Sequence, residues 1–150
     1  MTEEQVVVFS LGQEEYAVSI AEVKEIIQYK GATKLPGTPD FLEGIINLRG
    51  KVIPVVDMAK QFGLPAADNA DRRAIIVETQ GRELAVIVDE VTEVIILQSD
   101  AIEPAPAMAM AGGDHVRGIG KTGERLLILL ATDALFSSEE MTGIKVAVSG

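Results

Sequence analysis

The stretch Phe41-Leu42-Glu43-Gly44-Ile45-Ile46-Asn47-Leu48-Arg49-Gly50-Lys51-Val52-Ile53-Pro54-Val55-Val56-Asp57 sets two apolar runs on either side of one polar tip. Gly44 to Arg49 and Val52 to Asp57 are strand-length, and Gly50-Lys51 between them offers the positive φ that a tight hairpin requires. Arg49 stands at the tip. The same arrangement recurs outward from this hairpin, with turn residues at Gly12-Gln13, Gln80-Gly81 and Thr122-Gly123 each separating two β-rich runs. Four hairpins without regularly interposed amphipathic helices predict small antiparallel barrels or a sandwich, not a parallel α/β sheet. Helix is expected only in short pieces: Asp57 to Phe62, closed by Gly63 and Pro65, and Thr132 to Phe136. Ile20 to Ile27 fits a helical face through Ile20, Val23 and Ile27, and a strand face through Val23, Glu25 and Ile27; we favour a turn into a strand.

The two halves of the chain echo each other. Val7 to Gly12, Tyr16 to Val18 and Glu22 to Ile26 are answered by Ile76 to Gly81, Leu84 to Val86 and Glu90 to Val94. Gly44 through Phe62 is answered more loosely by Gly118 through Phe136. Duplication predicts two related barrels. We read residues 1–150 as a single domain of two intertwined barrel subdomains, with a seam near 64–72, where small, turn-forming and acidic residues suit an exposed connection.

Lys and Arg total 13 against 23 Asp and Glu, a net charge of −10, so a polyanion would meet a surface of its own sign and nonspecific nucleic-acid binding is disfavoured. The 47% apolar content supplies a core. Without cysteine there are no disulfides, thiolate metal sites or cysteine nucleophiles. No apolar run has the length of a membrane span, and the acidic start Met1-Thr2-Glu3-Glu4 does not read as an export signal, so a cytoplasmic location without membrane insertion is expected.

Residues for chemistry are few. His115 is the only histidine and falls in the Gly-rich segment Ala111 to His115 with no evident orienting partner; a loop histidine is the better reading than a catalytic one. Gly120-Lys121-Thr122 has the end of a phosphate-binding loop, but neither the upstream glycine nor the following helix is present, so a hairpin turn is expected. Glu3-Glu4, Glu14-Glu15, Glu22, Glu25, Glu90 and Glu139-Glu140 read as solvated faces, and no catalytic pair, metal site or cofactor is assigned. The Pro104 to Ala111 stretch, with Met108 and Met110, reads as a loop, a partner surface or a barrel-packing segment, and composition does not separate the three.

Arg49 remains, a directional and permanently charged group on a rigid tip in an acidic protein. It suits an anchor for a partner's carboxylate or carbonyl, or an internal salt bridge, and physics alone weighs these equally. Asn47-Leu48-Arg49-Gly50 followed by Val52 to Asp57 closely resembles the signature of the CheW family of bacterial chemotaxis coupling proteins. Similar residues also stand at Phe9 to Gly12 with Glu14 to Tyr16, at Val23 to Ile26, at Thr38-Pro39 and at Leu126 to Leu129, so the likeness runs from about Val6 to Phe136. Lys51 and the Pro104 to Ala111 stretch are not diagnostic of the family.

The resemblance implies a mainly β fold of two five-stranded SH3-like barrels packed together, with a few short helices. It implies a non-enzymatic adaptor without cofactor, coupling the cytoplasmic tips of chemoreceptors to the histidine kinase CheA. By the same resemblance, Arg49, Glu25, Val23 and Gly44 would meet the receptor in a groove between barrels, and Ala74 and Val91 on the second barrel would meet the regulatory domain of CheA. The alternatives are a small hydrolase using His115 and an OB-like binding module. The latter would need a basic groove and stacking aromatics, and the chain has no Trp, two Tyr and four Phe.

Overall fold

The computed structural model describes residues 2–64, 72–79, 81–104 and 116–132. Its strands are β1 (Glu3–Leu11), β2 (Glu14–Ser19), β3 (Val23–Gln28), β4 (Leu42–Leu48), β5 (Lys51–Asp57), β6 (Arg73–Thr79), β7 (Arg82–Val88), β8 (Glu90–Gln98), β9 (Ile102–Glu103), β10 (Val116–Thr122) and β11 (Arg125–Leu130), with a short helix α1 (Met58–Gln61) after β5. The expected hairpins are present as the antiparallel pairs β1–β2, β4–β5, β6–β7 and β10–β11. Ile20–Glu22 forms a single 3-10 turn that runs into β3, as the favoured reading of that stretch required. The Asp57 side chain accepts from the Lys60 backbone N–H at 3.2 Å and caps α1. Of the second expected helix, residues 133–136 lie outside the described residues, as do His115 and residues 105–111 of the Pro104 to Ala111 stretch.

The strands form a six-stranded sheet in the order β8-β1-β2-β11-β10-β9 and a five-stranded sheet in the order β3-β6-β7-β5-β4. Apart from the two-residue β9, both follow one plan. A hairpin from one half of the chain is flanked on one side by the strand that follows the hairpin of the other half, and on the other side by a second hairpin. The duplication seen in the sequence is therefore real, but its pieces are exchanged: β3 leaves β1–β2 to pair with β6, and β8 leaves β6–β7 to pair with β1. The second hairpins dock by parallel contacts, β11 on β2 and β5 on β7, which the antiparallel expectation did not include. Each sheet closes through the chain that leaves its edge strand. After β3, Thr33 bridges to Ile45 of β4; after β8, a 3-10 turn at Ser99–Ala101 delivers β9 to β10.

Strand alternation sends successive side chains to opposite faces, and here both faces of the central strands are covered. Val6, Val8 and Ala17 pack with Leu97, Leu127 and Leu129 inside the six-stranded barrel. Ala74, Ile76, Ala85 and Ile87 pack with Ile53 and Val55 inside the five-stranded one. The intervening residues Val7, Phe9, Leu11, Ile75, Val77, Leu84, Val86 and Val88 form a third core between the barrels, with Tyr16 stacked between Phe9 and Phe62 at centroid distances of 6.0 and 5.9 Å. Each large side chain fully buried there stabilises the fold by about 1.5–3 kcal/mol, so the barrels adhere as one body.

Candidate functional site

Arg49 and Gly50 form the two-residue turn of β4–β5, with φ of 51° and 87°. Consecutive left-handed residues are the hairpin turn that matches strand twist, and Arg49 is the only described non-glycine residue with positive φ. The Asn47 side-chain oxygen accepts from the Gly50 N–H at 2.8 Å and holds this bend. The left-handed turn carries the Arg49 side chain to Glu25 of β3, where Nη1 and Nη2 meet the two carboxylate oxygens at 2.6 and 2.5 Å. Of the two roles left open for Arg49, the structure supplies the internal partner, while 70% of the Arg49 side chain stays exposed. The guanidinium pulls the Glu25 pKa below the usual 4.5, and the carboxylate in turn raises that of Arg49.

Gly44 is built in for shape. It sits at a bulge between Leu42 and Gly44 with φ 147°, and a Cβ there would lie 2.1 Å from the Thr33 carbonyl oxygen. Thr33 and Ile45 exchange backbone hydrogen bonds of 2.9 Å beside it, so the glycine makes room for the barrel-closing bridge. Gly118 in the other barrel repeats the arrangement, a Cβ lying 2.9 Å from the Glu103 carbonyl oxygen. Val23 is half-buried against the inter-barrel core, and on β3 the residues Val23, Glu25 and Ile27 are the more buried set.

All four receptor-assigned residues thus belong to the five-stranded barrel, on its edge strands β3 and β4 and the tip of β4–β5. The two kinase-assigned residues do not share a barrel. Val91 is half-buried on β8 of the six-stranded barrel and packs on the central core. Ala74 lies on β6, between β3 and β7 of the five-stranded barrel, and is 0% exposed, so its side chain is core rather than docking surface.

Several exposed apolar residues escaped the sequence reading because alternate apolar positions on a strand ordinarily mean burial. Val94 and Ile96 on β8 are 47% and 55% exposed, and Ile96 lines a depression of about 390 Å³ with Ile20, Ala21 and the Glu3 to Gln5 segment. Val52 and Leu126 are exposed at repeat-related positions, each beside a first strand residue that is an ion-paired base: Lys51 with Glu83, Arg125 with Glu15 and Glu93. Asp57, at the end of the motif, proves structural: it is 2% exposed and meets Arg72 at 3.1 Å, whose guanidinium lies 5.3 Å from the centre of the Tyr29 ring. Lys121 of the Gly-Lys-Thr segment is on a strand and pairs with Glu103, and the turn follows at Gly123, as the hairpin reading required. Among the described residues no group of three acidic or histidine side chains could hold a metal ion, and no helix is long and apolar enough to cross a membrane.

Residues 5–140 match the family model described as a CheW-like domain. The chain belongs to the CheW family. Chemotaxis protein CheW of Klebsiella aerogenes is 37% identical over 140 residues, covering 92% of this chain and 84% of that protein. Chemotaxis protein CheW of Bacillus subtilis is 36% identical over 140 residues, covering 92% and 90%. The crystal structure of the scaffolding protein TtCheW from Thermoanaerobacter tengcongensis superposes with a TM-score of 0.86 at 41% identity, over 93% of this chain and 96% of that one. The strand-rich architecture is accordingly the pair of SH3-like barrels that the resemblance to CheW implied, in a chemotaxis scaffold family not known for catalysis.

Proposed function

We propose that this chain is a cytoplasmic adaptor that joins chemoreceptor tips to the histidine kinase CheA by binding both non-covalently, contributing geometry and binding energy and no chemical step. The observation that carries the reading is the family motif folded into a rigid, exposed turn, with Arg49 held by a bidentate pair yet mostly open to solvent. A planar guanidinium so fixed keeps an outward edge for a partner's carboxylate or carbonyl, while the neighbouring half-buried Val23 offers apolar contact. Charged groups at such a rim set register and reject wrong partners.

The receptor surface is then the five-stranded barrel around Arg49, Glu25 and Val23, with Gly44 shaping it from beneath. The kinase surface includes Val91 on the six-stranded barrel, and Ala74 acts on binding only through the barrel interior it fills. The common core between the barrels supports a scaffold that holds two partners at one fixed relation.

The test is a pair of variants measured against each partner alone. Val91→Asp weakens CheA association more than receptor-fragment association, and Arg49→Glu does the reverse. The opposite ranking would remove this division of labour.

A further inference from the structure

Two peptide crossings carry the chain from one barrel to the other near their common core: Ser19 to Val23, between β2 and β3, and Val88 to Glu90, between β7 and β8. The second is pinned by Asp89, whose N–H donates to the Ser10 carbonyl at 3.1 Å and whose carboxylate accepts from Gly12 N–H at 2.8 Å. The first is pinned differently. Glu22, half-buried at the end of the 3-10 turn, accepts a hydrogen bond from the Thr132 hydroxyl just beyond β11. The Thr132 carbonyl accepts from the Thr79 hydroxyl at the end of β6, at 3.1 Å. Thr79 and Thr132 are each 2% exposed.

Thr79 belongs to the five-stranded barrel, Thr132 continues from the six-stranded one, and Glu22 immediately precedes Val23 on β3. The apolar core between the barrels holds them together, but the attraction itself is non-directional. Buried hydrogen bonds are directional and costly to leave unmade. We propose that the Glu22–Thr132–Thr79 clasp is a positioning device: it fixes the first residues of the receptor-facing strand relative to the six-stranded barrel, so that a change at the receptor face is felt at the kinase face. The inference rests on the adaptor reading for its functional consequence, but the clasp itself is testable without partners.

Thr132→Val removes the hydroxyl, and Thr132→Ser keeps it. Glu22→Ala removes the acceptor, and Glu22→Gln keeps one. In the isolated protein, amide exchange at Ala21 and Val23, whose N–H groups bond to Ser19 Oγ and the Ile20 carbonyl, accelerates about tenfold in Thr132→Val and Glu22→Ala, with barrel interiors unchanged. In reconstituted complexes the same two variants bind receptor fragment and CheA singly within about twofold of wild type, but lower receptor-dependent kinase stimulation about fivefold or more. Thr132→Ser and Glu22→Gln restore both readouts. Unchanged exchange overturns the clasp whatever the partners do. Accelerated exchange with full stimulation, or a parallel loss of single-partner binding, overturns its positioning role. A wild-type protein that binds neither partner overturns the adaptor reading instead, and leaves the exchange result to decide the clasp.

Discussion

Arg49 and Glu25 join the two outermost strands of the five-stranded sheet, β4 through its turn and β3 along its edge, by two parallel hydrogen bonds of 2.6 and 2.5 Å. The pair therefore joins the two edge strands of this sheet, whose closure is also made by the Thr33–Ile45 bridge. Exposed pairs add little to stability, because solvent screens them and two long side chains must be ordered. Arg49→Glu is thus expected to weaken receptor-fragment binding about tenfold or more, with only a small fall in melting temperature. The double reversal Arg49→Glu with Glu25→Arg separates the pair from its outward contacts: restored binding would mean that only the internal pair matters, whereas persistent loss means that Arg49, Glu25 or both meet the receptor directly. Calorimetric titration and a thermal melt check both.

The same pair responds to acid. Glu25 has a folded-state pKa below its ordinary 4.5 because the Arg49 guanidinium favours the carboxylate. Below 4.5 the unfolded chain takes up this proton before the folded one does, so the stabilisation is complete above that pH and is lost as pH falls through the lowered value. Glu15, bonded to Arg125, behaves alike. Carboxyl-carbon NMR is expected to give a Glu25 midpoint under 4.5 that returns towards it in Arg49→Ala. An unchanged midpoint in the variant would show that the pair does not form in solution.

Glycine at position 44 answers to backbone sterics. Its added Cβ would strike a carbonyl oxygen at 2.1 Å and the φ of 147° is foreign to other residues, whereas a Cβ at Gly12, in open space at φ 63°, meets nothing within 4 Å. Gly44→Ala should cost about 2–4 kcal/mol in denaturant unfolding, and Gly12→Ala about 1 kcal/mol. Receptor binding should fall with stability in Gly44→Ala, in contrast to Arg49→Glu. A stable Gly44→Ala protein with impaired binding would make the glycine a direct contact.

The strand exchange predicts cooperativity. Each barrel needs strands from both halves of the chain, and the central core is shared, so neither barrel is independently foldable. Calorimetry should show one transition with matching calorimetric and van't Hoff enthalpies, and Phe9→Ala should lower it as a whole by about 3–5 kcal/mol. Two separable transitions would contradict the shared core.

Most of this architecture was legible because hairpins are local. Gly12, Gly50, Gly81 and Gly123 stand where the turns form, and the echo of β1–β2 in β6–β7 announced a duplication. Intertwined subdomains were expected, but not that β3 and β8 are the strands exchanged, since pairing across half the chain leaves no trace in either strand's own pattern. Among the site residues, Arg49, Glu25 and Val23 come together on one barrel. Their pairing depends on a left-handed φ at Arg49 that an arginine does not advertise. Ala74 was assigned to the kinase surface by the family resemblance alone, and a small apolar residue fits either environment; the position of β6 between β3 and β7 shows that its side chain is core. The Glu22–Thr132 contact joins residues at opposite ends of the described chain, and no spacing rule connects them.

The central claim is simultaneous occupancy, and the most direct measurement is the mass of the complex formed by this protein, soluble CheA and a receptor signalling fragment, by light scattering after size-exclusion chromatography. The account predicts a ternary species containing all three, with the Arg49→Glu protein retaining CheA and losing the receptor fragment. Binary complexes that displace one another, with no ternary mass at any ratio, would contradict it.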